Sequence, residues 1–239
     1  MSRMNEWGQP IGPELPGFTP PDPPPRALLQ GEHVELSPLD PTRHGPELYR
    51  AHQGVPPSHW TYLPYGPFES ESAYLRWLAE YCMGDDPLFF TIVDRPSGNA
   101  LGLAAYLRIQ RASACIEVGH LSFPPRVARR PAATEAMYLM MRKAFELGYR
   151  RYEWKCDAFN APSRAAAVRL GFHFEGIFRQ ATLYKGRSRD TAWYSVLDRE
   201  WPEVERAHRA WLDPGNFDAE GRQRSRLSEL TSSIGGREP

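Results

Sequence analysis

Lysine is nearly missing from this chain of 239 residues: Lys143, Lys155 and Lys185 stand alone among 29 basic residues, and the rest are arginine. Genomic base composition accounts for that bias more simply than function does. Net charge is zero, so no global electrostatic pull toward nucleic acid or a membrane surface is expected. Cysteine is scarce. Cys82, Cys115 and Cys156 lie far apart and form no CxxC pair, which argues against a disulfide framework and a thiolate zinc site. No histidine pair has metal-ligand helical spacing, so no metal is expected. No apolar run approaches the roughly 20 residues of a membrane span. The N-terminus lacks the basic-then-apolar order of a signal peptide. These absences predict a cytoplasmic protein with reduced thiols.

Proline is abundant instead. Residues 1–30 hold eight of the 24 prolines. Proline removes backbone donors and blocks helix continuation, so this stretch reads as an extended arm. Trp7, Ile11, Leu15 and Phe18 offer it apolar anchors on the domain. Three regions follow: the arm (1–30), a domain (31–200), and a C-terminal helix with a polar tail (201–239). The tail from residue 218 is polar enough to be partly disordered.

Within the domain, "HVELSPL" (33–39) alternates as a strand does, residues 41–53 form a weak helix, and "SESAYLRWLAEYC" (70–82) forms a stronger one with Ser70 at its cap. The segments at 88–94, 101–110 and 114–123 read as a meander of strands. Ala133, Ala136, Met137, Met140, Ala144 and Leu147 make a helical stripe that Gly148 ends. A strand at 150–158, a helix at 160–172, and two long strands around a turn at Lys185-Gly186-Arg187-Ser188 complete the domain. The order predicts a mixed α/β (α+β) domain.

Two segments carry chemistry. "RVARRPAATEAM" (126–137) starts a helix just after a strand. A helix start leaves N–H groups unpaired and carries partial positive charge, so an anion fits there. The same stretch also reads as an ordinary helix start with Pro131 at its first position. "DAFNAPSRAAAVRLGFHFEG" (157–176) follows one strand later. Asn160 there reads as a helix cap and Ser163 as a first-turn serine.

Together these segments resemble the GCN5-related N-acetyltransferase (GNAT) superfamily, in particular its RimJ/RimL-type branch. The likeness covers roughly residues 30–200. It implies a central twisted, mostly antiparallel sheet of six to seven strands, flanked by helices and splayed near the coenzyme site. It also implies acetyl-CoA as co-substrate. The family's pyrophosphate loop, Gln/Arg-x-x-Gly-x-Gly/Ala, falls on Ala128, Arg129, Arg130, Pro131, Ala132 and Ala133. Ala128 and Pro131 depart from it. Arg129, Arg130, Ala132, Ala133 and Thr134 remain to cradle the phosphates. By the same resemblance Asn160 hydrogen-bonds the pantetheine arm and Ser163 lies near its sulfur. A tyrosine acid is usual four residues after that serine, but Ala167 stands there, so Ser163 is the substitute.

Acetyl transfer to an amine needs a base, a donor for the thioester oxygen and a proton for the leaving thiolate. Glu117 in "IEVGH" is the first candidate base, and it also reads as an exposed strand carboxylate. His120 is the second, and it shares a cleft with Glu117 only if the strand bulges at Gly119. Asp190 is the third. Trp60, Tyr62 and Tyr65 in "SHWTYLPYGPF" are acceptor-binding candidates or else a lid on the core, and Trp193 with Asp190 is added to that wall. The expected acceptor is a small-molecule or aminoacyl-type amine. A protein N-terminal amine and a non-catalytic coenzyme A sensor are the alternatives, and the chain is expected to be a monomer or homodimer.

Overall fold

The computed structural model describes residues 3–124, 127 and 130–234. In chain order the elements are β1 (Arg3–Met4), β2 (Pro10–Ile11), β3 (Leu29–Gln30), β4 (Val34–Pro38), α1 (Pro41–Ala51), α2 (Glu71–Tyr81), β5 (Leu88–Asp94), β6 (Ala100–Gln110), β7 (Cys115–Ser122), α3 (Pro131–Glu146), β8 (Arg151–Asp157), α4 (Ala161–Arg169), β9 (His173–Tyr184), β10 (Arg187–Leu197), α5 (Trp201–Leu212) and α6 (Leu227–Leu230). A short 3-10 turn at Pro57–Trp60 lies between α1 and α2.

One sheet runs in the order β3-β4-β5-β6-β7-β8-β10-β9. It has eight strands where six to seven were expected. The two-residue strand Leu29–Gln30, too short to show alternation, pairs with Leu36 and Glu35 and adds the edge. Every pairing is antiparallel except β7 with β8.

The middle of the sheet is buried on both faces, while β9 is largely exposed. On β5, Phe90 and Ile92 join the core under α3, while Phe89 joins the core under α1 and α2. That is why "LFFTIV" is apolar except for buried Thr91 rather than alternating. Helix α3 is buried nearly all round because the sheet lies on one side and α5 on the other, with Tyr138 stacked on His208 and Phe145 on Trp201. Gly148 (φ +91°) and Gly171 (φ +92°) end α3 and α4 in the left-handed region, where a side chain would be strained. The turn between β9 and β10 is Lys185-Gly186, both with positive φ, as a two-residue hairpin with right-handed twist requires.

Two expectations about the flanks are corrected. Trp7, Ile11, Leu15 and Phe18 are exposed. The arm is held instead by buried Pro21 and Pro24, by Arg111 Nε donating to the Pro21 carbonyl (2.7 Å), and by Arg26 on Asp85 (3.0 Å). The tail is folded as far as Ile234: Leu227 and Thr231 are buried, and Thr231 Oγ1 donates to the Arg169 carbonyl (3.2 Å). Apolar residues spaced through a polar stretch sufficed to dock it. Among the described residues no helix is long and apolar enough to cross a membrane, and no cluster of His, Cys, Asp and Glu can hold a metal ion.

Candidate active site

β7 and β8 pair only over Cys115–Val118 against Arg151–Trp154. Both strands run on, to Ser122 and Asp157, without pairing each other further. A cleft of about 1330 Å³ opens at this divergence. The start of α4, the loop around His59 and Tyr62, and the β9–β10 hairpin close its sides.

One wall is a chain of charges. Glu117 is 5 % exposed, and its Oε2 accepts from Arg108 Nη1 (2.9 Å) and lies 3.0 Å from Lys155 Nζ. Lys155, also 5 % exposed, reaches on to Glu153 (2.8 Å) and sits 3.7 Å above the Trp193 ring. Glu153 continues to Arg151 (2.6 Å), and Arg151 to Glu175 (2.5 Å). Burial pushes the Glu117 carboxyl above its ordinary range, and the two cations pull it part of the way back.

Two bulges aim this wall. Between Leu107 and Gln110 β6 gains a residue on β7, and between Gly119 and Ser122 β7 gains one on β6. At each bulge a non-glycine residue takes positive φ, Arg108 (+48°) and His120 (+50°). Asp86 holds the first by accepting from the N–H groups of Arg108 (2.7 Å) and Ile109 (3.0 Å). The second brings His120 to the same cleft as Glu117. His120 stacks on Tyr65 (5.7 Å between centroids), and burial pushes its pKa down to about 4.

Behind the cleft edge at His59 and Tyr62 lies an aromatic cluster. Trp60, Phe68, Tyr74 and Trp77 contact one another edge-on or tilted, over the α1–α2 core. The hairpin tip is fastened to this cluster, because Lys185 Nζ donates to the carbonyls of Trp60 (2.7 Å) and Tyr65 (3.1 Å). Tyr62 Oη donates to the Phe159 carbonyl (3.1 Å), and Tyr184 Oη to Asp157 (2.7 Å).

At α4, Asn160 Oδ1 accepts from the Ser163 N–H (3.2 Å), as a helix cap does. Ser163 Oγ accepts from Trp154 Nε1 (3.1 Å), and its hydroxyl also hydrogen-bonds the buried Cys156 sulfur. Three buried polar atoms of cleft residues have no partner among the described residues: His120 Nδ1, Arg189 Nε and Trp193 Nε1.

Residues 33–173 match the Acetyltransferase (GNAT) domain family, over more than half of the chain. The chain belongs to the GNAT acetyltransferases. Among solved structures it is 46 % identical to a GCN5-related N-acetyltransferase from Brucella melitensis (TM-score 0.88; 91 % of this chain and 100 % of that one). It is also 46 % identical to a GNAT-family protein from Chromobacterium violaceum (TM-score 0.77; 81 % and 98 %). A microcin C7 self-immunity acetyltransferase solved with acetyl-CoA and AMP shares the fold at 19 % identity (TM-score 0.62; 70 % and 93 %). Comparison with curated proteins finds no match. GNAT enzymes use acetyl-CoA, and the mixed α/β fold and N-acetyltransferase class expected from the sequence hold.

The sequence-predicted residues divide. Glu117, His120, Tyr62, Asn160, Ser163 and Trp193 all line the cleft. Trp60 does not: at 6 % exposure it is part of the core. Tyr65 does not line it either, and serves as the surface on which His120 stacks. Asp190 is spent on a bulge of β9, accepting from the Gln180 N–H (2.7 Å) at a residue with φ +50°.

In the phosphate-loop segment, Ala128 and Arg129 lie outside the described residues. Arg130 and Ala132 line a separate depression of about 390 Å³ with Glu47 and Arg50. The Ala133 N–H is already bonded to the Arg130 carbonyl (3.1 Å), so that donor is occupied by the fold, while the Thr134 hydroxyl accepts from Arg169 (3.1 Å). Helix α3 still begins without a side-chain cap and with no acid in its first turn, so its positive end suits a phosphate.

Sequence reasoning missed Arg108, Lys155, His59 and Ser122. One signal was available for Lys155. In a chain that uses arginine almost everywhere, Lys155 is one of only three lysines, and it stands at this cleft.

Proposed function

We propose that this GNAT enzyme transfers acetyl from acetyl-CoA to the amine of a small-molecule or aminoacyl-type acceptor. One observation carries the reading. The β7–β8 divergence, the first turn of α4, and a wall of Tyr62, Phe178, Arg189 and Trp193 border one continuous cleft. Aromatic and arginine side chains suit a flat or aminoacyl-type group; a peptide amine would more naturally want an acidic groove.

Bound acetyl-CoA supplies the acetyl group as an activated thioester. Asn160 and Ser163 border its path, and Ser163 donates its hydroxyl proton to the departing sulfur. Beyond Val118, β7 has no ladder partner on β8, so backbone N–H groups there are available to the thioester oxygen. Glu117, held by two cations, fixes Lys155 and Arg108 at the floor.

The reading is tested first by thermal unfolding with acetyl-CoA. A ligand that binds only the folded state at 100 times its Kd stabilises by about 2.7 kcal/mol. For a domain of this size that raises Tm by roughly 5–10 °C. No shift at millimolar acetyl-CoA overturns the reading. Thiol release with a panel of aminoacyl amides, aromatic amines and short peptides then ranks the acceptors.

A further inference from the structure

His59 lies in the 3-10 turn at the cleft edge, and its ring enters a hydrogen-bonded chain that the mechanism above does not use. Its Nε2 is 3.3 Å from Ser122 Oγ. Ser122, the last residue of β7, is 2 % exposed, and its Oγ is 2.7 Å from His52 Nε2. His52 caps the end of α1, and its Nδ1 is 2.7 Å from the Leu48 carbonyl.

The carbonyl fixes the direction of the whole chain. It can only accept, so His52 carries its proton on Nδ1 and, when neutral, its Nε2 is a bare acceptor. The Ser122 hydroxyl therefore donates to His52. Having one proton, Ser122 can only accept from its other neighbour, so His59 carries its proton on Nε2. The lone pair of His59 is then on Nδ1, on the side of the ring turned away from buried Ser122. The contact with Trp60 (5.0 Å, edge-on) holds the ring in place.

We propose that His59 is the general base that takes the acceptor's ammonium proton at Nδ1, with Ser122 and His52 as the residues that set its tautomer and orientation. This rests on the acetyl-transfer reading above. The ammonium N–H bond breaks, its proton goes to Nδ1, and the freed nitrogen pair attacks the acetyl carbon. The C–S bond breaks with its electrons on sulfur. A second proton from nitrogen ends on that sulfur by way of Ser163, and His59 returns its own proton to water.

Burial lowers the pKa of His59, which keeps it in the base form at neutral pH. The rivals are less suited. Glu117 Oε2 is shared by two cations, His120 is driven down to about 4, and Asp190 is held in a bulge.

The tautomers are read by NMR on the full chain with ring-¹⁵N histidine. Expected at neutral pH are His52 as Nδ1–H and His59 as Nε2–H, with Ser122→Ala leaving His52 unchanged and making His59 a tautomer mixture. His59 found as Nδ1–H, or doubly protonated, overturns the proposal. In thiol release with the panel amine turned over fastest, His59→Gln should lower kcat by about 100-fold or more while acetyl-CoA affinity stays within about twofold. His59→Asn is run beside it as a check on folding. Unchanged kcat, or a loss seen only in Glu117→Gln, assigns the base elsewhere. If the native protein turns over no amine of the panel, the acetyl-transfer reading fails, and the tautomer measurement still judges the His59 chain.

Discussion

One wall of the cleft is a ladder of charges, Arg108–Glu117–Lys155–Glu153–Arg151–Glu175, laid across four strands. Behind the His59–Tyr62 edge of the cleft lies an aromatic cluster, tied to the hairpin by one lysine. The wall is rigid by mutual dependence, since each buried charge is tolerable only while its neighbour is present. The cluster depends on ring packing, which degrades gradually, and holds histidines that stay neutral because water is excluded. An acetyltransferase needs both properties, fixed charge where charge develops and neutral bases where a proton is collected.

The comparison breaks most sharply at Lys155. Lys155→Met leaves Glu117 and Glu153 buried without their shared cation and should cost about 3–5 kcal/mol in urea unfolding. Adding Glu117→Gln should recover part of that. A loss below about 1 kcal/mol would mean the ladder is no more than a set of solvated pairs.

Acid should separate the ladder from the cluster by sign. His120 has a folded pKa of about 4 against an ordinary 6.5, so on acidification the unfolded chain binds the proton first. Stability therefore falls as pH drops from 6.5 toward 4, by up to about 1.4 kcal/mol per pH unit. Glu117 acts oppositely: its folded pKa is raised above 4.5, so near and just above that pH the folded chain binds first. His120→Asn, whose residue tolerates positive φ, should flatten the acid limb seen by circular dichroism. An unchanged slope would place the acid sensitivity elsewhere, for instance at buried His208, also near 4.

Two smaller effects sharpen the picture. Ser163→Ala should reduce turnover by about 100-fold, the order expected for losing one donor to developing charge, with acetyl-CoA affinity little changed by thermal shift. Equal turnover removes Ser163 from the chemistry. Lys185→Met frees the hairpin tip from the Trp60 and Tyr65 carbonyls; because the side chain is solvent-accessible, the stability loss should be about 1 kcal/mol or less, with a rise in acceptor KM as the clearer sign.

Much of the frame was legible because it depends on short-range rules. The apolar spacing of α3, the β-formers of β5, the caps at Ser70 and Asn160 and the Lys185-Gly186 turn all follow from neighbours within a few residues. The edge strand Leu29–Gln30 was not legible, since two residues show no period. Nor was the fate of Trp60, because a buried aromatic and a ligand-stacking aromatic look alike until the neighbours are known.

The sequence by itself determined the order of the main elements from β4 to α5, the family and the pairing of Asn160 with Ser163 at a helix start, because capping, periodicity and turn chemistry are local. Only the tertiary structure decided what those residues face. Gly119 permitted the bulge at His120 but did not require it, and Arg108 carries no turn signal at all, yet the two bulges set the register that brings Glu117 and His120 to one cleft. The Leu48 carbonyl, out of any motif, orients His52, Ser122 and His59 in turn. Hydrogen bonds and ion pairs act over about 3 Å in space, and distance along the chain says nothing of which groups come that close.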